Sequence, residues 1–158
     1  MPVINDRSKF IEETGIFFES LGMTRMAGRI LGFLMVSDKE RVSFEELTQV
    51  LQASKSSIST NVKSLIVVKF IKPITVPGDR KTYYTLSHDI SWSEIFKQRM
   101  HELNHLTSLF NKALNLRTNK SDNPSQWLSN AMEFYEWMAS EFPKLMEKWE
   151  EYQKNKSV

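Results

Sequence analysis

The sequence predicts a mainly α-helical chain with one small β-hairpin in its middle and long helices at its end. Three observations predict this. Apolar residues recur at helical spacing from Phe10 to Ile66, the period shortens to two between Phe70 and Leu86, and helical spacing returns from Trp92 onward. A length of 158 residues suffices for one packed core, or for a small domain with a helical appendage. The longest uncharged apolar stretch, Ile30 to Val36, is far too short to cross a bilayer, so no membrane partner is expected. Met1 to Phe10 lacks the apolar core of a secretory signal. The absence of cysteine removes disulfides and thiolate chemistry and suits a cytoplasmic setting.

The first helix carries Phe10, Thr14, Phe17, Phe18 and Leu21 on one face and should stop at Gly22. A second runs from about Thr24 to Val36, where Gly28 and Gly32 form a smooth stripe for close approach of another helix. Ser43 and Glu46 make a capping box for a short third helix ending near Gln52. Ser54 then caps a fourth, with Ile58, Val62, Leu65 and Ile66 facing inward. Phe70–Val76 and Lys81–Leu86 read as two strands, with Pro77-Gly78 suited to a type II turn and Pro73 marking an edge or bulged strand. Ser91 and Glu94 repeat the capping box and open a long helix to about Leu116. Asn123 caps the last helix, with Pro124 at its first position; Pro143 should kink it, or split it with Ser140 as a second cap.

Net charge is only +2, but its distribution is uneven. Ser54–Thr85 holds six cations against the single acid Asp79, a net +5, while Asp122–Gln153 carries a net −5. A basic middle and an acidic end predict one surface for a polyanion and another for a different contact.

Helix, helix, short helix, tight turn, helix and hairpin is the order of a winged helix-turn-helix with a two-stranded β-wing. Such a module needs a helix that buries one side and offers small polar and basic groups on the other, because base edges are read in the major groove. From 54 to 69 the outer face reads Ser54, Lys55, Ser56, Ser57, Ser59, Thr60, Asn61, Lys63 and Ser64, without a single acid. An ordinary solvated helix face mixes both signs, and serine is an indifferent helix former. Asn61 is suited to an adenine edge, and Lys55 and Lys63 to phosphate. At the wing, 77–81, Arg80 and Lys81 sit where a narrow minor groove attracts cations, with Asp79 placed to orient Arg80.

Ser54 to Leu86, SKSSISTNVKSLIVVKFIKPITVPGDRKTYYTL, resembles the recognition helix and wing of the MarR family of regulators, and Gly78-Asp79-Arg80-Lys81-Thr82-Tyr83-Tyr84 is its most specific piece. Gly22 to Met35, GMTRMAGRILGFLM, is similar to the GbsR-like branch, typified by a regulator of choline and glycine-betaine synthesis. The sequence departs from the branch pattern at Thr24, where proline is common. The resemblance implies a homodimer on double-stranded DNA, each wing domain on one half-site. It also implies a small-molecule effector in many members, and carries DNA-contacting roles to Ser56, Ser57, Thr60, Asn61, Lys63 and Arg80. No cofactor is implied.

The last helix adds a heptad seam of Leu128, Ala131, Tyr135, Met138, Phe142, Leu145, Trp149 and Tyr152. Leu128, Tyr135, Met138, Phe142, Leu145 and Trp149 are the expected dimer interface, since one small winged domain cannot cover so much apolar surface. The domains expected are 8–89, the winged helix-turn-helix, and 90–158, a C-terminal helical dimerisation region forming one compact unit with the N-terminal helix. Trp92, Trp127, Phe134, Tyr135, Trp137 and Trp149 invite a second reading as a cage for a quaternary ammonium, although aromatics at helical spacing usually form core or interface.

His101-Glu102-Leu103-Asn104-His105 matches the H-E-x-x-H pattern of zinc peptidases. Chemistry there needs a third ligand and an open position for water, and no downstream G-x-x-H supplies it. The expectation is therefore a regulator and not an enzyme. A zinc-dependent hydrolase or metal sensor built on His101 and His105, and a winged helix used for protein–protein contact, are the alternatives.

Overall fold

The computed structural model describes residues 6–156. Met1–Asn5, part of the segment read as lacking a secretory signal, and the last two residues of the 90–158 region lie outside the described residues. In order the elements are α1 (Asp6–Ser20), α2 (Arg25–Val36), β1 (Val42–Ser43), α3 (Phe44–Val50), α4 (Lys55–Val67), β2 (Ile71–Thr75), β3 (Thr82–Leu86), α5 (Trp92–Leu116) and α6 (Asn123–Lys156). The fold is mainly helical with a small antiparallel sheet, a winged helix-turn-helix followed by long helices. The chain divides into two compact units at Asp89/Ile90.

In the first unit, α1 and α2 cross closely because α2 presents glycine where it meets α1. A Cβ on Gly28 would lie 2.8 Å from the Gly15 Cα and from the Thr14 carbonyl oxygen; one on Gly32 would lie 2.9 Å from the Thr14 Cβ. Ile30, Leu31, Leu47, Ile58, Leu65, Ile71 and Val42 fill the core, drawn from every element between α2 and β2. Burial of each such side chain contributes about 1.5–3 kcal/mol. Thr24 caps α2, accepting from the Ala27 amide, so the sequence's departure from proline here supplies the helix with a cap. Arg25 and Arg29 are taken up in ion pairs with α1, Arg25 with Glu19 at 2.6 Å and Arg29 with Glu12 at 2.7 Å.

Three helices end in the same Schellman geometry. The Met23 and Gly22 amides return to Phe18 and Glu19, Ala53 and Gln52 to Thr48 and Gln49, and Phe70 and Lys69 to Leu65 and Ile66. The residue at the turning point has positive φ each time, but only the first is glycine; Gln52 (φ 48°) and Lys69 (φ 60°) hold the others. A side chain in this region is disfavoured by Cβ sterics. Lys69→Gly is therefore expected to stabilise the fold by roughly 0.5–1 kcal/mol, read as a rise in the thermal midpoint.

The sheet has three strands, not two, in the order β1-β3-β2. Val42 pairs with Tyr84 and Ser43 with Tyr83, while β2 and β3 run from Ile71↔Leu86 to Thr75↔Thr82. A two-residue strand offers no alternation to detect, which is why the hairpin reading missed β1. Pro73 lies on β2, an edge strand, where its missing donor leaves no ladder bond unmade.

In the second unit, α5 packs on α6 across a short connection. Ser91 caps α5 by accepting from Glu94 N–H at 3.2 Å. The α6 cap is Asp122, one residue earlier than expected: its carboxylate accepts from the Ser125 amide at 3.0 Å, so Asn123 already lies within the helix. Ser125 is fully buried, accepting from Arg117 Nε at 2.8 Å and donating to the Asn119 carbonyl at 2.8 Å; Arg117 also pairs with Asp122. The Ser125 hydroxyl and amide hold the Asp122 carboxyl below its usual range, with Arg117 adding to the effect. α6 is not split at Pro143: it continues to Lys156, and the Ser140 hydroxyl donates back to the Trp137 carbonyl instead of capping a new helix.

The α6 seam is partly satisfied within the chain. Leu128, Tyr135, Met138 and Phe142 are half-buried, and the Tyr135 ring lies 6.5 Å from Phe110 of α5. Leu145 and Trp149 remain exposed, as do Trp127 (62 %), Phe134 and Trp137 (57 %) beside the seam. The heptad pattern marked the side that α5 contacts, and the uncovered apolar surface includes residues adjacent to it.

Candidate nucleic-acid interface

The α3–α4 pair is built around a tight turn, Leu51-Gln52-Ala53-Ser54, whose left-handed Gln52 reverses the chain. Ser54 caps α4 by accepting from the Ser57 amide at 3.2 Å. Ile58, Val62 and Leu65 then turn inward and leave Lys55, Ser56, Thr60, Lys63 and Ser64 exposed, with Ser57 half-buried. Val67, 77 % exposed, extends this surface by one apolar residue that the inward-face reading did not single out. An exposed methyl-bearing side chain there suits the thymine methyl group.

Asn61 is a correction. It is only 6 % exposed: its amide Nδ2 donates to the Ser57 carbonyl at 2.8 Å, and its Oδ1 accepts from the Thr24 hydroxyl. It ties α4 to the start of α2 and presents no edge to a base. The helical wheel places position 61 beside Ile58, Val62 and Leu65, and two internal partners make burial of the amide tolerable. Asn61→Ala is accordingly expected to destabilise the fold by about 1–3 kcal/mol, with no change in the ratio of specific to random duplex affinity. Chemical denaturation beside a binding titration checks both.

The wing turns as predicted. Asp79 N–H donates to the Val76 carbonyl at 3.0 Å, closing a type II turn in which Gly78 takes φ +83°. Asp79, however, does not orient Arg80. Its carboxylate accepts from the Lys81 amide at 2.9 Å and from the Tyr83 hydroxyl at 2.7 Å. The Lys81 amide first, then the Tyr83 hydroxyl, hold that carboxyl below its usual range; the same bond raises the Tyr83 hydroxyl above its own. Arg80 and Lys81 are exposed and, among the described residues, form no salt bridge. Among the described residues, Lys72 is the one of these six cations in a salt bridge, with Asp89 at 2.8 Å. Lys55, Lys63, Lys69, Arg80 and Lys81 form no salt bridge among the described residues, with Asp79 acting on Lys81 through its electrostatic field.

The histidine motif gains no support. His101 and His105 lie exposed with rings 5.2 Å apart, and Glu102 accepts from Gln98. Among the described residues no group of three His, Cys, Asp or Glu side chains could hold a metal ion. The six aromatics do not form one cluster: Trp127 and Trp149 are separated along one helix by about 33 Å at the rise of an α-helix, while Phe134 lies 5.6 Å from Tyr135 and 6.4 Å from Trp137. Trp127 instead meets Phe110 edge-on and Trp149 stacks on Tyr152.

A solved crystal structure of a transcriptional regulator superposes with a TM-score of 0.78 at 33 % sequence identity, covering 93 % of this chain and 99 % of that one. The family model for the MarR family matches residues 21–82, the span that holds the helix-turn-helix and most of the wing. The chain belongs to the MarR family of transcriptional regulators. Members of that family are regulators and not enzymes. A second model, for MmpR5-like MarR family transcriptional regulators, matches residues 91–152. HTH-type transcriptional regulator MmpR5 of Mycobacterium tuberculosis (strain ATCC 25618 / H37Rv) is 51 % identical over 81 residues, which are 51 % of this chain and 49 % of that protein. The matched stretch therefore spans about half the length of that curated relative. Among the described residues no helix of this MarR-family chain is long and apolar enough to cross a membrane.

Proposed function

We propose that the chain is a homodimeric, cytoplasmic regulator that places α4 in the major groove of double-stranded DNA and the wing at the adjacent minor groove. The observation that carries this reading is the exposed, acid-free surface of Lys55, Ser56, Thr60, Lys63 and Ser64, beside a wing whose Arg80 and Lys81 form no salt bridge among the described residues. Small hydroxyl side chains let the helix backbone approach base edges, and the unpaired cations match the phosphates on either side. Ser54 serves as the cap that aims the helix, with Ser57 beside it at the groove rim.

The dimer reading rests on the apolar side chains that α5 leaves uncovered, Trp127, Phe134, Trp137, Leu145 and Trp149. A monomer exposing such a set along one helix invites association. Two-fold symmetry then calls for two half-sites one DNA turn, about 34–36 Å, apart. Gly22–Met35 supports placement in the GbsR-like branch, on residues separate from the MmpR5-like match at 91–152. A small-molecule effector of DNA affinity belongs to the same proposal.

Hydroxyl-radical footprinting tests the docking. Two protected patches about 10–10.5 base pairs apart, centre to centre, are expected. A single short patch would contradict the symmetric dimer, and an absence of protection with retained solution folding would favour the protein-contact alternative.

A further inference from the structure

Arg41 lies outside the helix-turn-helix, on the connection into β1, and its guanidinium carbon sits 5.2 Å from the centre of the Tyr83 ring. Glu40, Glu45 and Glu46 are its near neighbours in sequence, yet Arg41 forms a salt bridge with none of them; Glu46 pairs with Lys39 at 2.7 Å, and the acid whose field reaches Arg41 is Asp79. Tyr83 is itself fixed, its hydroxyl donating to Asp79, whose other carboxylate oxygen accepts from the Lys81 amide. Asp79, Tyr83 and Arg41 thus form a chain of contacts that ties an exposed guanidinium to the wing near its tip. Contact with an aromatic ring uses none of the guanidinium N–H donors, so all five stay available.

Lys39, Glu40, Arg41, Glu46, Lys81 and Tyr83 line a shallow polar cleft of about 570 Å³. With Lys39 and Glu46 cancelling, the lining charges left are Arg41 and Lys81 against Glu40, while the Asp79 carboxylate held by Tyr83 acts on both cations from beside the cleft. We propose that Arg41 is a further DNA-contacting cation, which with Lys81 seats one backbone phosphate beside the wing. This rests on the reading that the wing lies on a duplex, and it extends the interface to a residue that no helix-turn-helix pattern includes. A planar fork of donors pre-oriented by a ring suits a phosphate better than a mobile lysine does.

The test is the salt dependence of binding to a fluorescently labelled genomic duplex, for wild type, Arg41→Ala, Arg41→Lys, Tyr83→Leu and Lys63→Ala, each checked for an unchanged thermal midpoint. Loss of one phosphate contact lowers the slope of log K against log salt by about 0.9 and the affinity about five- to tenfold near 0.1 M salt. Arg41→Ala should show both, equally on specific and random duplexes. Arg41→Lys should restore the slope, which a purely structural role for Arg41 would not predict. Tyr83→Leu should keep the slope while weakening affinity, since the charge remains but its support is gone. An unchanged slope in Arg41→Ala, with the slope reduced in Lys63→Ala, overturns the inference and leaves the DNA-binding reading standing. Wild type without duplex affinity overturns both.

Discussion

Reversing Lys63 and Arg80 together, as Lys63→Glu with Arg80→Glu, is expected to reduce duplex affinity by about a hundredfold or more at moderate salt. Each cation lost removes one released counterion, worth close to an order of magnitude in this salt range, and each new carboxylate adds repulsion from the phosphates. Both side chains are exposed and form no salt bridge among the described residues, so the thermal midpoint should stay within about 1 °C. Fluorescence anisotropy with a calorimetric melt separates the two effects. Retained affinity in the double variant would mean that neither the helix face nor the wing meets DNA.

Gly28→Val is expected to be the most damaging single change to the fold. Even the first carbon of a side chain would come within 2.8 Å of backbone atoms at Thr14 and Gly15, and backbone cannot move aside as a side-chain tip can. Overpacking of this kind costs about 1–3 kcal/mol for small additions, and a branched side chain belongs at or above the upper end. Removing a helical glycine returns at most about 1 kcal/mol of propensity, so the steric cost wins. Denaturant unfolding should show a fall of about 2 kcal/mol or more, and Gly28→Ala should fall between it and wild type. Stability equal to wild type in Gly28→Val would contradict the close α1–α2 approach.

Much of this was legible in the sequence because the signals are local. Ser43, Ser54 and Ser91 cap the helices they were expected to cap, Gly22 ends the first, and Pro77-Gly78 closes the predicted turn. What escaped depends on tertiary partners. The helical wheel put Asn61 beside the inward face, but the Thr24 hydroxyl that satisfies it there is distant in sequence, and the Asp79 carboxylate is taken by Tyr83 on the following strand. β1 is too short for any period, and its strand character comes from pairing with Tyr83 and Tyr84. The heptad on α6 showed an apolar side correctly but could not say that α5 of the same chain would take part of it. Arg41 carried no pattern at all; only its position over Tyr83 sets it apart.

Selection of genomic fragments by the purified protein, followed by a salt titration on the tightest duplex, tests the central claim most directly. The expected result is an inverted repeat whose affinity falls steeply with salt, the slope reflecting several phosphate contacts. Recovery of unrelated fragments with weak, sequence-independent binding would contradict specific recognition by α4 and the wing.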